Sequence, residues 1–122
     1  MEFTKLAVGV AAVGAVVLGG IGVASAAIQA EPCTPDRVCI YKNDHWTGKL
    51  GTKAPLQPTT NVGLVANDEM TSYRNLTNVD ARWYWNANGG GNCRTMWAGT
   101  SDDKINPIDD NKLSSWNTQG RC

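Results

Sequence analysis

The sequence lacks two features common in nucleic-acid-binding proteins and enzymes, namely a net charge and a supply of histidines. Its 11 basic and 11 acidic residues cancel, and they also cancel after residue 26, so bulk electrostatics do not favour a nucleic acid or an anionic membrane as partner. The one histidine, His45, lies within a predicted hairpin turn, where we expect it to face solvent rather than to act as a base, because a base needs an oriented partner. The adjacent pairs Asp102-Asp103 and Asp109-Asp110 are typical of solvated turns. We expect a protein that is not an enzyme.

The chain also lacks Cys-x-x-Cys spacing, which argues against a zinc site. Its four cysteines are Cys33, Cys39, Cys93 and Cys122. An even number in an exported chain indicates two disulfides, with three possible pairings. We favour Cys33–Cys39, because these residues are close in sequence, and Cys93–Cys122, because this bond would hold the C-terminus.

Charge is absent from residues 6–30, a run of mostly Ala, Val and Gly that follows Lys5. Near its end, Ala24-Ser25-Ala26 has the small residues of a signal-peptidase site, so we interpret residues 1–26 as a signal peptide, cleaved after Ala26 or Ala27. The alternative is a membrane anchor, because the run is long enough to span a bilayer. Export with cleavage predicts a secreted, extracellular protein without a stable membrane anchor, and one small domain over residues 33–122.

Outside the signal, no stretch has a sustained helical apolar period, but the chain resembles itself at an offset of 43 residues. The coinciding positions are aromatic, glycine or small polar residues in both copies: Tyr41 and Tyr84, Asn43 and Asn86, Gly48 and Gly91, Asn67 and Asp110, Asp68 and Asn111, Thr71 and Ser114, Ser72 and Ser115. Two copies of one motif are therefore predicted, at residues 35–78 and 79–121. Short runs of strand-forming residues between Gly, Asn, Asp and Pro indicate an all-β sandwich of two Greek keys.

Each copy begins with a candidate folded hairpin. The first reads "YKNDHWTG", in which Tyr41 and Trp46 can cover the turn and Gly48 can take a positive φ. The second reads "YWNANGGG", which keeps Tyr84 and Gly91 but has Gly89 in place of the second aromatic residue. The second hairpin is therefore expected to form with a less covered turn.

Each copy also contains a polar hexad, "NDEMTS" at residues 67–72 and "DNKLSS" at residues 110–115. Such residues also form ordinary Asx or Ser/Thr turns. The recurrence at one offset favours calcium, because Ca²⁺ prefers hard oxygen ligands on short loops. The side-chain oxygen donors are Asn67, Asp68 and Thr71 in the first hexad and Asp110, Asn111 and Ser114 in the second.

Together, aromatic-x4-aromatic-x-Gly followed by Asn/Asp-Asn/Asp-x-x-Ser/Thr-Ser resembles the pattern of the microbial βγ-crystallins. The segment "CTPDRVCIY" and the chain size are similar to the actinobacterial secreted metalloproteinase-inhibitor branch. The resemblance implies one domain of two Greek keys with two calcium sites. The ligands it implies are the carbonyls of Glu69 and Lys112, the hydroxyls of Thr71 and Ser114, the side chains of Asp68 or Asn111, and the opposite hairpin near Asn43–Asp44 or Asn86–Asn88. It implies that Ser72 and Ser115 brace the hairpins.

The same resemblance suggests a peptidase inhibitor, monomeric and acting on an extracellular protease through a rigid exposed loop. Residues 53–62, which contain two prolines, and residues 98–104 are the candidate loops. The alternatives are a killer-toxin-like antimicrobial or cell-wall glycan-binding protein, with Trp85 as a possible contact, and a purely structural calcium-binding protein. The few charged ligands predict calcium affinities on the order of 10⁻⁵ to 10⁻³ M.

Overall fold

A computed structural model describes residues 30–122. The predicted signal peptide and its cleavage site lie outside these residues. Within residues 30–122, no helix is long and apolar enough to cross a membrane.

The described residues form eight short strands, because glycine, proline and small polar residues interrupt the chain at short intervals. The strands are β1 (Val38–Tyr41), β2 (Lys49–Lys53), β3 (Thr60–Asn61), β4 (Ser72–Asn75), β5 (Ala81–Asn86), β6 (Gly90–Met96), β7 (Ser101–Asp102) and β8 (Ser115–Asn117). Two short 3-10 turns, Asp44–Trp46 and Ala87–Gly89, connect β1 to β2 and β5 to β6.

The strands form two four-stranded sheets with the orders β2-β1-β4-β7 and β3-β8-β5-β6. The first four strands belong to the first sequence copy and the last four to the second. Each copy gives its third strand to the other sheet, because β3 pairs with β8 and β7 pairs with β4, both antiparallel. The predicted all-β sandwich of two Greek keys is confirmed.

The main core lies between the two sheets and draws residues from both copies. Its members are apolar or aromatic and are less than a tenth exposed: Val38, Ile40, Met70, Tyr73, Ala81, Trp83, Met96, Ile105, Leu113 and Trp116. Alternation along β5 sends Ala81 and Trp83 inward. Burial of this apolar surface is the main stabilising contribution of the fold.

The four cysteines form Cys33–Cys39 and Cys93–Cys122, which are the pairs favoured from the sequence. Cys33 and Cys39 pack with Tyr41 and Trp46 in a second, smaller apolar cluster. This cluster explains why all four residues of β1 are buried, whereas simple alternation would expose every second one. The second bond links the C-terminal residue to β6.

Candidate functional site

The two hairpins have the same folded shape. The central residues of their 3-10 turns, His45 and Asn88, have φ values of 54° and 58°, in the left-handed region. Gly48 and Gly91 follow with φ values of 72° and 73°. A Cβ added at Gly91 would lie 2.7 Å from the side-chain nitrogen of Asn86, so both conformation and space require glycine there.

A buried serine from the hexad of the same copy holds each hairpin. The Ser72 hydroxyl donates to the Asn43 carbonyl at 2.6 Å and accepts from the Trp46 backbone N–H at 3.3 Å. The Ser115 hydroxyl donates to the Asn86 carbonyl at 2.6 Å and accepts from the Gly89 N–H at 2.9 Å. Each serine thus braces a hairpin about thirty residues earlier in the chain.

Replacing Ser72 with alanine is expected to lower the free energy of unfolding by about 1–3 kcal/mol, because the Asn43 carbonyl and the Trp46 N–H lose a buried partner. Chemical denaturation followed by tryptophan fluorescence measures the change. Ser101→Ala, at an exposed serine of β7, is the control and should change the free energy by less than about 0.5 kcal/mol. Equal effects of the two changes would contradict the bracing role.

The third strand of the other copy also holds each hairpin turn. The Asn88 N–H donates to Asn61 Oδ1 at 2.7 Å, and Asn61 Nδ2 donates to Asn88 Oδ1 at 3.0 Å. In the first copy the His45 N–H donates to the Asp103 carbonyl at 2.8 Å, and His45 Nδ1 lies 3.0 Å from Asp103 Oδ2. The second hairpin is formed although it has Gly89 where the first has Trp46.

The two hexads cross each other and are linked by backbone hydrogen bonds. The Asp68 N–H donates to the Leu113 carbonyl at 2.7 Å, and the Asn111 N–H donates to the Met70 carbonyl at 3.0 Å. Asp68 and Asn111, at the second position of each hexad, both have left-handed φ values of 58° and 61°. The fold therefore brings together two loops that are 43 residues apart in the sequence.

At this crossing, each hexad hydroxyl faces a carboxylate of the other copy. The Thr71 hydroxyl donates to Asp110 Oδ1 at 2.6 Å, and the Ser114 hydroxyl donates to Asp68 Oδ1 at 3.4 Å. Each pair thus presents oxygen atoms from both copies at a partly or fully exposed position.

The chemistry of this donor set fits Ca²⁺, because it consists of hydroxyl and carboxylate oxygens. Within residues 30–122, no group of three or more His, Cys, Asp or Glu side chains is placed to hold a metal ion. The side chain of Glu69 pairs instead with Lys42, at 3.7 Å. The Asn43 and Asn86 carbonyls already accept hydrogen bonds from the brace serines, which leaves each one free lone pair.

Two sequence interpretations need correction. Asp109 is not solvated: it is 9 % exposed, and its carboxylate accepts from Arg94 Nε at 2.9 Å. Trp85 is half-buried rather than exposed, because its indole N–H donates to the same carboxylate at 3.2 Å and its ring packs against the core. At the repeat offset Trp85 aligns with the polar Lys42, which suggested an exposed ring, and this alignment could not show that a buried carboxylate lies opposite. Only part of the ring is left exposed for a glycan contact.

The candidate loop at residues 53–62 has an exposed apex on a fixed backbone. Leu56 is 64 % exposed and has a φ of 63°. Three hydrogen bonds to the buried Thr118 fix this backbone. The Thr118 carbonyl accepts from the Leu56 N–H at 2.8 Å. The Thr118 hydroxyl accepts from the Gln57 N–H at 2.8 Å and donates to the Ala54 carbonyl at 2.6 Å. The sequence analysis missed this role of Thr118. The available signal was its alignment with the polar Asn75 at the repeat offset.

Lys53 closes the other side of the same loop. Its ammonium donates to Thr60 Oγ1 at 2.7 Å and to the Pro58 carbonyl at 3.3 Å, and it lies 5.2 Å from the centre of the Trp116 ring. Burial lowers the pKa of Lys53. The other candidate loop, residues 98–104, includes β7, as residues 53–62 include β3, but it lacks an equivalent of the exposed Leu56.

Comparisons with known proteins agree with this architecture. The family model of peptidase inhibitor family I36 matches residues 26–96. A βγ-crystallin from an archaeon is similar, with a TM-score of 0.55 and 22% identity over 70% of this chain and 99% of that one. A βγ-crystallin domain from Flavobacterium johnsoniae has a TM-score of 0.54 and 21% identity, over 66% of this chain and 90% of that one.

A search of curated proteins gave no match. At these identities the solved structures establish the fold, whereas the family model covers more than half of the chain. The chain belongs to peptidase inhibitor family I36 and has the βγ-crystallin fold.

Proposed function

We propose that this protein is a secreted inhibitor of metallopeptidases and that residues 53–62 enter the peptidase cleft. The observation that carries the proposal is the exposed Leu56 on a backbone clamped by Thr118. Membership of family I36 supports a peptidase as the partner. The resemblance to metalloproteinase inhibitors supports the metallopeptidase class.

A clamped loop suits inhibition because little conformational entropy is lost when it binds. Pro55 and Pro58 restrict the backbone on both sides of the apex, and the Thr118 hydrogen bonds fix the segment between them. Leu56 would fill an apolar specificity pocket. The clamp would keep the segment in place long enough to prevent its release as an ordinary product.

A titration of purified protein against a panel of peptidases tests the proposal. We expect stoichiometric inhibition of a thermolysin-like metallopeptidase and little effect on serine and cysteine peptidases. Mass spectrometry of the same mixtures shows whether the loop stays intact. Rapid cleavage of the chain as a substrate, or equal inhibition of all three classes, would refute the proposal.

We also propose that the crossed hexads bind up to two Ca²⁺ ions. Asp68 with Ser114 and Asp110 with Thr71 would hold them, together with carbonyls of Glu69 and Lys112. The bound ion would supply a positive charge between oxygen atoms of the two copies, and so would stabilise the crossing. It would have a structural role and take no part in chemistry on a substrate.

Calcium is expected to raise the thermal unfolding midpoint by about 10–20 °C for each occupied site, relative to EGTA. A ligand at a hundred times its dissociation constant stabilises the folded state by about 2.7 kcal/mol per site, and about 1 kcal/mol shifts the midpoint of a domain this size by about 4–8 °C. Thr71→Val should remove part of the shift, whereas Asp103→Asn, outside the hexads, should keep it. A midpoint unaffected by calcium would refute the sites without affecting the inhibition assay.

A further inference from the structure

A groove with a volume of about 190 Å³ opens between β2 and β3, the edge strands of the two sheets. Its apolar lining is Ile40, Leu50, Val62, Ala66 and Trp116, and Gly51 leaves space above Ile40 and Trp116. The groove is large enough for an aliphatic side chain.

The repeat shows why this groove is open. At the offset of 43 residues, Gly51 corresponds to Arg94 and Ala66 corresponds to Asp109. In the second copy Arg94 and Asp109 form an ion pair at 2.9 Å, which also holds the Trp85 indole, and these side chains fill the equivalent space. The first copy has neither half of the ion pair and has an apolar hollow in its place.

The turn that borders the groove carries the most exposed apolar side chains in residues 30–122. Leu64 is 97 % exposed and Val65 is 89 % exposed. They lie between Gly63 and Ala66, which both line the groove, and the Ala66 and Asn67 N–H groups close the turn on the Gly63 carbonyl at 3.0 Å. The projecting side chains of Leu64 and Val65 and the apolar groove therefore lie side by side on one face.

Charge on this face is also complementary. The groove lining includes Lys53 and no acidic residue, and Lys49 lies on the same edge strand. The projecting turn runs directly into Asp68 and Glu69. A second copy placed with its projection in the groove would bring its acidic segment towards the lysines of β2.

We propose that two copies of this chain associate through this face, with Leu64 and Val65 of each copy inserted into the groove of the other. Twofold symmetry requires a patch to be complementary to itself, and an adjacent projection and hollow satisfy this requirement. Because the contact is limited to one turn and one groove of each copy, we expect a reversible association, in the micromolar to millimolar range. The groove shares Lys53, Thr60 and Val62 with the segment proposed to enter the peptidase cleft, but sedimentation of the protein alone tests the association without any peptidase.

Sedimentation velocity over a range of concentrations of the purified protein tests the dimer. Leu64→Ser combined with Val65→Ser should raise the dissociation constant about a hundredfold or more, because the dimer contains the altered contact twice. Ile108→Ser is the matched control. Ile108 is the residue of the second copy that corresponds to Val65, and it is 66 % exposed. It borders the space that Arg94 and Asp109 fill, so its replacement should leave the dissociation constant unchanged.

A second variant, Gly51→Arg with Ala66→Asp, transfers the ion pair of the second copy into the groove. A Cβ at Gly51 meets its nearest neighbour at 3.6 Å, an ordinary contact, so the backbone accepts a side chain there. This variant should also be monomeric. An equimolar mixture with the Leu64, Val65 variant should associate more strongly than either variant alone. In the mixed dimer, the intact turn of one variant fits the intact groove of the other, so one of the two contacts is restored. A wild-type protein that stays monomeric at millimolar concentration, or a dimer that neither variant weakens, would overturn the proposal.

Discussion

Replacing Leu56 with aspartate is expected to weaken inhibition of the target metallopeptidase about a hundredfold or more. Leu56 is the exposed apex of a loop whose backbone is otherwise fixed, so it would be the central residue of the interface. A few residues near the centre of an interface dominate its binding energy, and a charge placed in an apolar pocket adds a desolvation cost. The inhibition constant against a thermolysin-like enzyme measures the effect.

Two further variants separate the side chain from its support. Ile108→Asp changes an aliphatic residue of almost equal exposure, 66 % against 64 %, and should leave the inhibition constant unchanged. Thr118→Val removes the hydroxyl that bonds Ala54 and Gln57, and should weaken inhibition about tenfold although Leu56 is intact. If Leu56→Asp inhibits as well as the wild type does, residues 53–62 are not the inhibitory loop.

Removing the Cys93–Cys122 disulfide by replacing both residues with serine is expected to lower the free energy of unfolding by about 3–4 kcal/mol. The bond joins residues 29 positions apart and so restricts a long loop of the unfolded chain. Cys93 is half-buried and Cys122 is exposed, so the serine hydroxyls cost little in themselves. Urea denaturation of oxidised protein measures the change.

The Cys33–Cys39 disulfide provides the comparison, since it closes a sequence separation of only 6. The chain-entropy model assigns this shorter loop about 1 kcal/mol less than the longer one. Because Cys39 is fully buried, its replacement should be alanine in this case. If removal of the Cys93–Cys122 disulfide does not change the free energy of unfolding, the C-terminus is held by other contacts. One such contact is the hydrogen bond from the Cys122 N–H to Thr95 Oγ1 at 3.1 Å.

The repeat made most of the fold predictable, because one offset aligned the hairpin residues and the hexads in both copies. The bracing role of Ser72 and Ser115 came from the family resemblance, which the repeated hairpins and hexads carry. These features depend on local pattern, which a single sequence contains.

Other features depend on contacts that no local pattern records. The exchange of β3 and β7 is decided by which sheet edge each short strand meets, and two-residue strands carry almost no signal of their own. Burial of Asp109 required Arg94, 15 residues earlier, and Trp85, 24 residues earlier, to converge on one carboxylate. The Thr118 clamp joins residues more than 60 positions apart.

The exchanged strands have a consequence for the origin of the protein. Neither half of the chain can complete a four-stranded sheet from its own residues, because each sheet needs a strand from the other half. A separately expressed half should therefore remain largely unfolded until it meets a complementary one. An ancestor that consisted of one half would have been stable only as a pair of identical chains, and joining two such genes would have made that encounter intramolecular.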